Sequence, residues 1–167
     1  MIKDVLKNLT LFVDGRGYAG KVEEIELPKL TMKTEEFRAG GMDAPIEVEM
    51  GMEKLEASFT LNGYDKDVLS LFGLAPGKHK PLTIKGSLIS EDGAERALII
   101  NLRGMVREME MGSWKPGDKA TLKVMMALSY YKLKHSGQVI YEIDPANMLR
   151  IIDGQDQLKQ TRAHLGL

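Results

Sequence analysis

Apolar and polar residues alternate with a period of two along much of the chain. That is the signature of strands with two unlike faces. Ile46-Glu47-Val48-Glu49-Met50 alternates strictly, and Ala57, Phe59 and Leu61 alternate with Ser58, Thr60 and Asn62. Leu9 to Val13 predicts a short strand closed by the turn Asp14-Gly15. Leu82-Thr83-Ile84 and Ala97 to Arg103 predict two more, with the turn Glu91-Asp92-Gly93 between them. Thr121 to Leu133 places Leu122, Val124, Met126, Leu128 and Tyr130 on one face. Met125, Ala127 and Tyr131 on the other face predict a strand covered on both sides. Gln138 to Ile143 is expected to pair with it across His135-Ser136-Gly137.

Two segments read as helix. Residues 65–74 begin with Asp65 as a side-chain cap, present Val68, Leu69 and Phe72 as an apolar stripe, and reach Gly73 near the end. Residues 155–165 predict a short C-terminal helix with Leu158 and Leu165 on one stripe. Between the strands, residues 28–45 are polar, charged and long, with Gly40-Gly41 near their end. Pro28 breaks the strand-like run from Val22 to Leu30, because it cannot donate a ladder hydrogen bond. A compact domain seldom spends so many residues on a connection without a function for it. Leu30, Met32 and Phe37 argue for a long hairpin or arm that docks on a neighbouring subunit.

Composition narrows the class. The chain has 167 residues, 43% hydrophobic and 28% charged, as expected of one globular domain over 1–167. It contains no cysteine, which removes disulfides, thiolate metal sites and cysteine nucleophiles. No apolar run approaches the length of a membrane helix, so no stable membrane association is expected. The N-terminal residues lack a signal-peptide pattern, which places synthesis in a cytoplasm. The net charge is −1, but it is unevenly spread. Residues 21–56 carry −5 and residues 115–167 carry +3. Such polarity suits head-to-tail association of unlike surfaces.

Candidate chemistry is thin. Gly15-Arg16-Gly17-Tyr18-Ala19-Gly20 matches a dinucleotide fingerprint, but no helix follows to bind a pyrophosphate. It reads as a glycine-rich turn. His79, His135 and His164 lie far apart with no ligand spacing, so no metal is expected. No serine sits in a nucleophile-elbow context, and no catalytic residue, enzyme activity or cofactor is predicted. Tyr130-Tyr131-Lys132-Leu133-Lys134 is the one basic–aromatic stretch that a small single-strand-binding β-barrel would need.

The segment Leu27-Pro28-Lys29-Leu30-Thr31-Met32-Lys33-Thr34-Glu35-Glu36-Phe37-Arg38-Ala39-Gly40-Gly41-Met42-Asp43-Ala44-Pro45 resembles the arm of the major tail tube protein of contractile, P2-type phage tails and R-type pyocins. The resemblance continues through Ser129 to Leu133, Tyr141 to Asn147, Gly154 to Leu158 and Leu165-Gly166-Leu167. It implies a mainly β fold of two packed antiparallel sheets, sandwich- or barrel-like, with one interior helix and a long extended arm. Six subunits would close a β-barrel lumen, and the rings would stack into a hollow tube. The tube of a type VI secretion system is the alternative within this class. The implied partners are other copies of the chain, then sheath, tape-measure, baseplate and tail-terminator proteins, with transient passage of DNA in a phage or ions in a bacteriocin. The implied location is the tail of a virion or bacteriocin particle.

The arm residues marked out for inter-subunit contact are Leu27, Pro28, Lys29, Leu30, Lys33, Glu35, Phe37, Arg38, Gly40, Gly41 and Met42. Glu47 and Glu49 are candidates for the lumen lining. The alternative for them is an ordinary solvated face.

Overall fold

The computed structural model describes residues 1–18 and 21–167. The elements in chain order are β1 (Val5–Val13), β2 (Arg16–Gly17), β3 (Val22–Glu26), β4 (Met32–Phe37), β5 (Ile46–Met52), β6 (Leu55–Asn62), α1 (Lys66–Leu69), β7 (Leu82–Ile89), β8 (Glu95–Glu110), β9 (Thr121–His135), β10 (Gln138–Asp144), β11 (Leu149–Ile152), β12 (Gln155–Asp156) and α2 (Lys159–His164). Every paired strand is antiparallel to its neighbour.

β9 is the hub. One edge runs beside β8 for nearly its full length. The other edge pairs with β6 from Thr121 to Leu128 and with β10 from Tyr131 to His135. The ladder therefore forks. One branch reads β12-β11-β10-β9-β8-β7-β1-β2, and the other reads β3-β6-β9-β8. In place of the two expected packed sheets, the body is one branched ladder, because β8 and β9 are long enough to serve both branches. The inner faces share one core. Leu11, Leu82, Ile84, Ile100 and Leu102 come from the first branch, and Phe59, Leu61, Leu122, Val124 and Met126 from the second.

Bulges make the bend. Ser129 is the extra residue where Arg103 faces Tyr130 and Gly104 faces Leu128. Arg107 is the extra residue between the Val106–Met126 and Glu108–Met125 pairs. Each bulge turns the strand and adds twist. At the first, a Cβ on Gly104 would lie 2.2 Å from the Ala127 carbonyl oxygen and 2.7 Å from the Leu128 Cα. Only glycine fits against that backbone.

Both helices are shorter than the sequence predicts. Asp65 does cap α1, accepting from the backbone N–H groups of Asp67 and Val68. The helix nevertheless stops at Leu69. Phe72 is drawn into a parallel bridge with Val106, and Gly73 follows at φ +83°. At the C-terminus, Asp153 and Gly154 both have positive φ, which suits a tight hairpin turn. Gln155 and Asp156 therefore pair back onto β11, and α2 begins only at Lys159. The glycine-rich segment provides β2 and the buried Tyr18, while Ala19 and Gly20 lie outside the described residues.

Candidate assembly surfaces

Three surfaces place apolar or charged side chains in solvent without a use inside the monomer. The first is the hairpin of β4 and β5, which forms its own two-stranded sheet. Residues 46–52 belong to it, so the arm is longer than residues 28–45. Its register makes two unlike faces. Phe37 faces Ile46 and Glu35 faces Val48 on one side, while Glu36 faces Glu47 and Thr34 faces Glu49 on the other. Phe37, Ile46, Val48 and Met50 are all exposed. Directly opposed like charges at Glu36 and Glu47 weaken a free-standing hairpin. Lys33, Glu35 and Phe37 lie on β4, and Arg38, Gly40, Gly41 and Met42 lie in the connection to β5. That connection is ordered: the Arg38 Nε–H donates to the Met42 carbonyl at 3.1 Å, and Gly41 takes φ +89°. Leu27 and Leu30 are exposed in the lead-in, whereas Pro28 is buried and Lys29 is exposed. Glu47 and Glu49 sit on β5, within the arm.

The base of the hairpin is held by Arg150 of β11. Its guanidinium reaches Glu49 Oε1 at 2.8 Å and the Met32 sulfur at 3.6 Å. Its Nε is buried without a partner among the described residues. Gly51, at φ +98°, lies where the register of β5 slips against β4 and bends the arm.

The second surface is the outward face of the branch β3-β6-β9-β8. Successive rows read Glu24–Thr60–Lys123–Glu110 and Glu26–Ser58–Met125–Glu108. Glu24, Glu26, Glu108 and Glu110 are exposed. Glu56 on the same face is paired with Arg107 and Lys54. The hydrogen bond from Arg107 holds the Glu56 carboxyl below its ordinary pKa. The outward face of the other branch is basic by contrast, with Lys85, Lys132 and Lys134 among its residues. The acidic sheet has open edges. β3 has no strand on its far side among the described residues, and β8 from Arg107 to Glu110 has none beyond the bridge at Val106.

The third surface is the loop between β8 and β9. Trp114 is 79% exposed, yet it is fixed. Its Nε1–H donates to the Tyr64 hydroxyl at 2.7 Å, and that hydroxyl donates to the Met111 carbonyl at 2.7 Å. Nothing in the sequence pattern singled out this residue. Its signal was a lone tryptophan beside Lys115-Pro116-Gly117, which reads simply as a loop.

Buried polar groups elsewhere are structural. Tyr18 donates to Asp65 at 3.0 Å, and burial with that bond pushes its phenol up to about 12. Burial alone would raise the Asp65 carboxyl, but the bonds from Tyr18, Val68 and Asp67 hold it lower. Burial likewise raises Tyr131 to about 12. Tyr131 sits in the core, while Tyr130 donates to Glu142 and carries Arg103 over its ring. The basic–aromatic stretch is thus consumed by packing and offers no stacking platform.

The described residues thus present exposed apolar and charged surfaces and no group of three or more potential metal ligands. The chain belongs to the phage tail tube protein FII family, whose model matches residues 3–166. This is a structural family, not an enzymatic one. The chain is 30% identical to the tail tube protein of Escherichia phage P2 over 166 residues, covering 97% of this chain and 96% of that one. It is 30% identical to the major tail tube protein of Serratia phage KSP20 over 153 residues, covering 90% and 88%. Among solved structures it resembles a chain of the sheath–tube complex of an extracellular contractile injection system at TM-score 0.58 and 13% identity, covering 76% of this chain and 88% of that one. A chain of the sheath/tube terminator of the same system matches at TM-score 0.59 and 13% identity, covering 77% and 94%. The fold is that of contractile injection system tubes, and the chain is a tail tube subunit.

Proposed function

We propose that six copies close into a ring whose lumen is lined by the β3-β6-β9-β8 sheets, with Glu24, Glu26, Glu108 and Glu110 facing inward. The observation that carries this reading is one sheet that is both acidic on its outward face and open at both edges. Its strands alternate in direction, so β3 of one copy meets β8 of the next antiparallel, as the rest of the ladder requires. Closure removes the open edges. Six four-stranded sheets give about 24 strands and a barrel roughly 40 Å across at the backbone. An acidic lining repels phosphate and keeps DNA mobile as it passes.

Glu47 and Glu49 take a different part in this reading, as hairpin residues. Rings stack into the inner tube of a contractile tail, and the hairpin reaches an adjacent copy. Sheath, tape-measure, baseplate and terminator proteins are the remaining partners. The particle is a virion or a tail-like bacteriocin, with DNA or ions as the respective cargo. Negative-stain electron microscopy of the purified, concentrated protein tests the reading. Hollow six-fold rings or tubes are expected. A persistent monomer, with or without a tail fragment as nucleus, would contradict it.

A further inference from the structure

The hairpin and the Trp114 loop lie at opposite ends of the acidic sheet. β3 runs out at Glu26 into the hairpin, and the chain returns at Leu55, which faces Leu128 of β9. At the other end Asn62 faces Thr121, and the Gly63 N–H donates to the Ala120 carbonyl at 2.8 Å beside the Trp114 loop. The eight residues of β6 separate the two rims by about 25 Å. When identical rings stack head to tail, every junction joins one rim to the other. The rim that receives the hairpin is therefore the one bearing Trp114.

We propose that the Trp114 loop is the docking site for the hairpin of a second copy in the next ring, an assignment that rests on the ring reading above. Beneath Trp114 lies a recess of about 380 Å³ lined by Tyr64, Met111, Trp114, Lys115 and Pro116 among others. The facing pair Phe37 and Ile46, 54% and 53% exposed, supplies an apolar knob of matching character. Charge agrees with this pairing. Residues 27–54 carry six acidic and four basic side chains, and residues 111–120 carry Lys115 and Lys119 against Asp118.

The bond to the Tyr64 hydroxyl, which is itself anchored on the Met111 carbonyl, holds the indole in place before any partner arrives. That lowers the ordering cost of binding. A tryptophan held in this way beside a recess of mixed apolar and charged lining is the type of residue that dominates an interface.

The test uses Trp114→Ala and a photo-crosslinking benzoylphenylalanine at position 114 in the full chain, with native mass spectrometry for rings and electron microscopy for tubes. Trp114→Ala should keep its rings and lose at least tenfold in tubes per ring. The crosslinker should capture a peptide from residues 27–54 of another copy. Phe37→Ser should reproduce the loss of tubes from the other side of the junction. Tubes at the wild-type level from Trp114→Ala, or crosslinks that fall outside residues 27–54, would overturn the docking and leave the ring intact. Absence of rings from the wild-type chain would bring down the ring reading and the docking with it.

Discussion

The guanidinium of Arg150 joins the carboxylate of Glu49 at 2.8 Å, and this ion pair fixes the root of the arm to the body of the subunit. Arg150 is almost fully buried, while Glu49 is half exposed. The two partners therefore do not contribute alike. Glu49→Ala leaves a buried charge with one nitrogen already unpaired, and should cost about 2 kcal/mol. Arg150→Met removes the charge and keeps the volume, and should cost under about 1 kcal/mol. Thermal unfolding of the unassembled chain would read the difference as a few degrees. Equal losses, or a larger loss from Arg150→Met, would show that the pair is not what holds the arm.

Gly104 offers a sharper test of the bend. Gly104→Ala drives a Cβ into the backbone of Ala127 and Leu128, which cannot move without breaking the β8–β9 ladder. The expected cost is about 3 kcal/mol or more. Gly40→Ala is the control, because nothing lies within 4 Å of its Cβ and its φ is not left-handed. It should change stability by less than about 0.5 kcal/mol in the same denaturation experiment.

The C-terminal helix should respond to acid. Arg162 donates to Asp156 and to the Met148 carbonyl, tying α2 to β12 and to the residue just before β11. The bond from Arg162 holds the Asp156 carboxyl below its ordinary value. A depressed carboxylate contributes its full stability above the unfolded pKa and loses it as pH falls through the folded one. Amide protection of residues 159–167 should therefore be flat from pH 7 to about 5 and fall below about pH 4. Arg162→Ala should show low protection throughout, with no step in that window.

Charge reversal separates the two acidic surfaces. Changing Glu24, Glu26, Glu108 and Glu110 to lysine should leave the core intact and make assembled tubes retain DNA, with retention falling steeply as salt rises. Changing Glu47 and Glu49 to lysine should impair assembly, since both lie on the arm. DNA retention by the second variant and not the first would return the lumen to Glu47 and Glu49.

Much of this was legible in the sequence. Alternation at Ala57–Asn62 and Leu122–Leu128 located β6 and β9, and Leu122, Val124 and Met126 entered the core, but the bulge at Ser129 turns Tyr131 inward and Tyr130 outward, the reverse of the expected faces. The polar stretch after Pro28 located the arm. The face proposed for the lumen was harder to read, because alternation at residues 46–50 says that a strand has two faces but not which sheet it joins. Glu24, Glu26, Glu108 and Glu110 come from β3 and β8, strands far apart in sequence that are brought onto one face only through β6 and β9. The fork at β9 depends on two bulges that carry no sequence signature beyond Gly104. Residues 70–74 left the helix because Val106 offered Phe72 a bridge, a tertiary preference that local propensity does not contain.

The most direct test of the ring is a disulfide across its seam. The chain has no cysteine, so introduced pairs report without background. Glu24→Cys would be combined in turn with Arg107→Cys, Glu108→Cys and Glu110→Cys, and assembled tubes would be oxidised and run on a denaturing gel. At least one combination should give a ladder of covalent oligomers that ends at the hexamer, because the proposed ring sets β3 of each copy beside β8 of the next. Well-formed tubes in which none of the three combinations crosslinks between subunits would contradict the account, and the lumen would have to be built from another face.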